Sequence, residues 1–155
     1  MQARPGPARD YGLDVLRRAI DGIPGTTAVH ICFGYAAIIH ERPSGYSFLP
    51  ELAATECDQI SIETAQSGLA LDVLDALSTK TIISGVLDLS TEEAETPATV
   101  ADRIRRAFPH AAPERLVAAP DCGMKYLPRD AAYGKLEALV AGARLAAEGI
   151  PTPRD

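Results

Sequence analysis

Residues 59–87 read QISIETAQSGLALDVLDALSTKTIISGVL, and this stretch decides the architecture. From Gln59 to Ile62 the β-branched Ile60 and Ile62 alternate with polar partners, and Thr81 to Leu87 is a longer run rich in Ile and Val. Both are short apolar runs bounded by turn-forming residues, the pattern of buried strands. Between them, Leu69 to Leu77 repeats its apolar residues at helical spacing. A helix between two strands is too long a connection for a hairpin, so the strands run parallel in a βαβ unit.

Outward from this unit the alternation continues. Ala28 to Phe33 and Leu116 to Ala119 are further strand-like runs. Helical patterns occupy Tyr11 to Ile23, Phe48 to Ala54, Thr99 to Phe108 and Ala131 to Glu148, the first halted by Pro24-Gly25. Such alternation defines an α/β fold with a parallel sheet. A closed (β/α)8 TIM barrel needs eight units and about 250 residues, whereas this chain of 155 residues supplies about four. The expected architecture is therefore a partial TIM barrel over residues 11–150, with an irregular lead-in at 1–10 and a tail at 151–155. Glu41 to Tyr46 reads as an excursion after the first strand and Ser90 to Pro97 as an acidic loop after the third. Half a barrel leaves two strand edges open, which points to a longer chain that supplies the rest or to self-pairing.

Composition narrows the function. Hydrophobic residues make up 46% of the chain, enough for a core, and the formal net charge of -6 argues against a nucleic-acid binder, which needs a basic stripe along one face. No apolar run approaches the roughly 20 residues of a membrane span, and Met1 to Pro7 has no signal-peptide character, so a cytoplasmic location is expected. The cysteines, at 32, 57 and 122, are odd in number and far apart, which suits a reducing compartment better than a disulfide framework.

His30 and Cys32 stand two apart, so on a strand both point to one side and can share a metal. Taken alone the pair is more often ordinary core. Its context changes the balance: Glu63 closes the second strand and Cys122 follows the last, just before Gly123. The carboxyl ends of parallel barrel strands are where reactive groups gather. Two thiols, an imidazole and a carboxylate make a tetrahedral zinc set with one oxygen ligand that a substrate can replace.

The segments VHICFGYA (29–36), ISIETAQSG (60–68), GVLDLSTEEAETP (85–97) and PDCGMKYLPRDAAYGKL (120–136) resemble the catalytic barrel of cobalamin-independent methionine synthases. The resemblance runs from about Tyr11 to Gly149 and makes the chain the C-terminal half of that barrel. It implies that His30, Cys32, Glu63 and Cys122 bind Zn2+, and that the activity is methyl transfer from a methyltetrahydrofolate polyglutamate to homocysteine in methionine biosynthesis. The chemical logic of zinc is independent of the likeness. A free thiol, with a pKa of about 8.5, is mostly protonated at neutral pH, and a metal-bound one is a thiolate.

Where those synthases carry a proton-donating His, this chain has Ser90, and a hydroxyl is a poor acid near neutral pH beside an imidazole. The proton-donor role is not carried over. The stretches Tyr11-Gly12, Arg17 to Ile20 and VHICFGY also resemble epoxyalkane:coenzyme M transferases, zinc enzymes that open an epoxide with a thiol; Asp121 before Cys122 favours the synthases. The family's acidic substrate-binding residues lie upstream of the His-x-Cys motif, in a region outside this chain, so a catalytically inactive zinc-binding module is a third reading. Asp88, at the end of the third strand, and Asp121 are further candidates for a catalytic role. Asp88 could orient a substrate amine or support a ligand, or cap its own loop. Lys125 and Arg129 could meet an anionic substrate group. Cys57, His40 and His110 lie outside the matched positions and are assigned nothing.

Overall fold

The structure, a computed structural model, describes residues 11–34, 45, 46 and 48–150. The lead-in at 1–10, the tail at 151–155, His40 and most of the excursion after the first strand lie outside the described residues. Helix α1 (Leu13–Ile20) leads into strand β1 (Ala28–Ile31), α2 (Leu49–Ala53), β2 (Gln59–Glu63), a 3₁₀ helix (Leu71–Leu77), β3 (Thr81–Leu87), α3 (Pro97–Arg105), β4 (Leu116–Pro120) and α4 (Arg129–Ala147). The strands form one sheet in the order β1-β2-β3-β4, every neighbouring pair parallel. Crossovers between successive parallel neighbours are as a rule right-handed, which places connecting helices on one face of a sheet. That is the expected α/β architecture, open at both sides: among the described residues the outer edges of β1 and β4 pair with no strand.

Alternation along the strands sorts the side chains. Ile60, Ile62 and Ile82 are fully buried and pack with Leu49, Leu52, Leu74 and Leu77 beneath the helices. The opposite row, His30, Ser61, Ile83 and Val117, is brought into line by the strand register and stays at least partly exposed. A second core joins Val86 and Leu87 to Val100, Ala101 and Ile104 of α3 and Ala138 and Ala146 of α4.

Of the differences from the sequence expectation, three have a clear physical reason. β1 stops at Ile31, so Cys32 stands just beyond the strand, and the Phe33 N–H donates to the Glu63 Oε2 at 3.1 Å in place of a ladder partner. The segment read as an ordinary helix from Leu69 is a 3₁₀ helix, because Leu71, Leu74 and Leu77 recur every third residue and line one side of a three-residue turn. α3 starts at Pro97, two residues before the expected Thr99, since the Thr96 Oγ1 accepts from the Thr99 N–H at 3.1 Å and proline suits a first helical position.

Candidate metal centre

His30 lies within β1, Cys32 one residue past it, Glu63 on the last residue of β2 and Cys122 two residues past β4. All four therefore sit at the carboxyl ends of parallel strands, on one rim. The structure brings His30, Cys32 and Cys122 together: one donor atom from each lies within 4.8 Å of the others, and the two sulfurs are 3.8 Å apart. Glu63 stands outside that group. Its carboxylate, 1% exposed, takes the Phe33 N–H, although its negative charge is felt at both Cys32 and Asp121.

The surroundings hold the donors in place. The His30 Nδ1 contacts the Ser61 Oγ at 2.8 Å across the β1–β2 register, which leaves Nε2 as the nitrogen to meet a metal. Burial pushes the Cys32 thiol up; the Gly34 N–H opposes this, and the Cys122 sulfur and the Glu63 charge add to it. Acidic groups thus crowd one another, and a divalent cation is what relieves such crowding. Thiolates and imidazole are soft-to-borderline donors that suit zinc.

The remaining candidates divide. The Asp88 Oδ1 accepts from the Ser90 N–H at 2.8 Å and from the Ser90 hydroxyl at 2.6 Å, so this carboxylate caps its own loop. Asp121 is 1% exposed and faces away from solvent into the turn after β2, where it accepts from the Thr64, Ala65 and Gln66 N–H groups. Burial pushes its carboxyl up to about 6, against the pull of those N–H donors and with help from Glu63. The Lys125 ammonium sits 4.8 Å from the Tyr126 ring centre, and Arg129 opens α4. Cys57 is buried beside the Thr55 hydroxyl, and His110 pairs with Asp75 at 2.9 Å.

One network behind the rim was not read from the sequence. The fully buried Lys135 Nζ donates to the Asp88 carbonyl (2.9 Å), the Glu93 carbonyl (2.6 Å) and the Glu95 Oε2 (3.0 Å). Arg103 donates to the Glu95 Oε1 (2.9 Å) and the Val86 carbonyl (2.7 Å). Together they stitch the loop after β3 to α3 and α4. The signal was present: Lys135, Ala138, Gly142 and Ala146 share one helical stripe, which places a lysine on the buried side of α4.

A partial parallel barrel with an imidazole and two thiols gathered at one rim defines the class, an α/β-barrel domain with a candidate metal site. Residues 28–145 match the family described as cobalamin-independent synthase, catalytic domain, and the chain belongs to that family. It is 31% identical over 143 residues to a methionine synthase of Saccharolobus islandicus, covering 90% of this chain and 40% of the relative. A methionine synthase of Thermococcus kodakarensis is 30% identical over 135 residues, covering 86% of this chain and 37% of the relative. The structure is also similar to that of a B12-independent methionine synthase from Shewanella sp. W3-18-1 in complex with selenomethionine, with a TM-score of 0.82 and 31% identity over 91% of this chain and 44% of that one. The chain thus spans less than half the length of the relatives it matches.

Proposed function

We propose that the chain is the metal-binding part of the catalytic barrel of a zinc-dependent methyltransferase, which moves a methyl group from a methyltetrahydrofolate polyglutamate to the thiol of homocysteine. The observation that carries this reading is the convergence of His30, Cys32 and Cys122 within 4.8 Å at the rim. A ring nitrogen of His30, the two sulfurs and a carboxylate oxygen of Glu63 would hold the ion. Zinc, when bound, supplies a thiolate at neutral pH where a free thiol of pKa about 8.5 is mostly protonated.

The chain's own residues prepare the site. Ser61 fixes the tilt of the His30 ring through Nδ1. The Phe33 N–H gives Glu63 an alternative partner, which suits the one oxygen ligand that must yield when a substrate thiol enters. Asp88 and the Lys135 network hold the loop after β3 against the rim, and Lys125 and Arg129 supply positive charge for the glutamate tail. Contacts to the homocysteine amine fall to the part of the barrel outside this chain. No described helix is long and apolar enough to cross a membrane, and free thiols at Cys32, Cys57 and Cys122 suit a reducing cytoplasm.

Metal analysis with zinc-edge X-ray absorption tests the reading. About one zinc per chain is expected, with sulfur coordination rising when homocysteine is added. Absence of zinc overturns it. Ser90, with its hydroxyl spent on Asp88, favours keeping epoxide opening as a second reading, and a response to coenzyme M in place of homocysteine would select it. Zinc that ignores both thiols marks a structural, inactive module.

A further inference from the structure

Asp121 belongs to β4's turn, yet its carboxylate is spent on the turn after β2, two strands away. Its Oδ1 accepts from the Thr64 N–H at 3.2 Å and the Ala65 N–H at 3.1 Å, and its Oδ2 from the Gln66 N–H at 2.5 Å. These three donors follow Glu63 directly in the chain. To reach them Asp121 passes over β3 at Gly85, where an added Cβ would lie 2.6 Å from the Asp121 Cα, so glycine is the residue that leaves the passage open. The Thr64 hydroxyl closes the unit by donating to the Gly85 carbonyl at 2.6 Å.

We propose that Asp121 is a positioning residue of the metal centre, a latch that ties the turn after Glu63 to the turn bearing Cys122 and so holds Cys122 against His30 and Cys32 with Glu63 at the edge of the group. The proposal rests on the zinc reading above. Successive backbone N–H groups converging on one carboxylate form a strong anion-holding unit. Cys122 is bonded to the residue so held and Glu63 to the first of the three donors, so rotation of either ligand's backbone must strain the latch. Gly85 is part of the same device, as its lack of a side chain is what admits the carboxylate.

Cobalt(II) binding by the full chain, with zinc in competition, tests this. The wild type should bind one cobalt with tetrahedral visible absorption and thiolate charge-transfer bands. Asp121→Asn keeps the shape but sets an amide NH2 against N–H donors. It should weaken metal binding 10–100-fold, as loss of a ligand's supporting partner does, and lower the charge-transfer intensity toward that of Cys122→Ser. Gly85→Ala keeps the carboxylate and displaces it, and should give the same two effects; it carries the comparison if the Asn variant does not fold. Circular dichroism of the metal-free proteins monitors folding. Unchanged affinity and spectrum in folded variants, even with a lowered Tm, would overturn the latch while leaving the zinc reading intact. A wild type that binds no cobalt and no zinc overturns both.

Discussion

Glu95 shows how far one side chain organises the rim. Burial pushes its carboxyl up, but the Asp88 N–H, the Lys135 ammonium, its own N–H and Arg103 together outweigh burial and hold it below its ordinary 4.5. A carboxyl lowered in this way stabilises the folded state above its unfolded pKa and loses that contribution as pH falls through the folded value. Glu95→Gln leaves Lys135 and Arg103 facing a neutral amide, at a cost of about 3 kcal/mol near pH 7. The deficit against wild type should shrink as pH drops below about 4.5, which urea unfolding across pH 3 to 7 measures. A deficit independent of pH would show that the ion pairs contribute nothing. At this scale the candidate site was legible in part: His30, Cys32 and Cys122, reactive types at strand ends, come together at the rim, while Glu63 stands outside their group. Ser61 and the Thr64 to Gln66 turn were not: a serine on a strand and three backbone N–H groups look the same in any sequence, and only the register and the crossing of β3 give them partners.

Helices α3 and α4 meet closely at Gly142, where an added Cβ would fall 2.6 Å from the Val100 Cγ1 and 2.8 Å from the Pro97 carbonyl oxygen. Gly142→Ala should raise the intrinsic helix propensity of α4 yet destabilise the protein by about 1–3 kcal/mol, because overpacking there forces the helices apart. Thermal unfolding reads the sign; a raised Tm would contradict the packing argument. The elements themselves were legible from periodicity, and the strands in particular, since Ile-rich runs between turn residues have few alternatives. What periodicity could not supply was the end of β1. Ile31 and Phe33 are equally strand-like in sequence, and the strand ends where the Phe33 N–H finds Glu63 in place of a neighbouring backbone.

At the scale of the whole molecule, the described residues form a four-stranded parallel sheet with two unpaired edges, flanked by exposed apolar side chains. Val15 lies on α1 at one side, and Tyr133, Leu136 and Val140 lie on α4 at the other. Free edges and apolar flanks of this kind promote pairing. Sedimentation velocity of the isolated chain should show association that grows with concentration, reduced by Val140→Glu; a monomer throughout would mean that the edges are covered from within. The shortfall of strands was legible by counting βα units against a closed barrel.

The 3.8 Å between the Cys32 and Cys122 sulfurs spans 90 residues of chain. Its consequence is one of assembly order. Bringing such distant segments together carries a loop-closure entropy that grows with the logarithm of the span, and local contacts cannot offset it early in folding. β1 and β4 do not touch each other in the sheet; each is held only through β2 and β3. The donor group therefore comes into existence last, after every strand has docked, and a nascent or partly folded chain presents no complete site for a metal to capture.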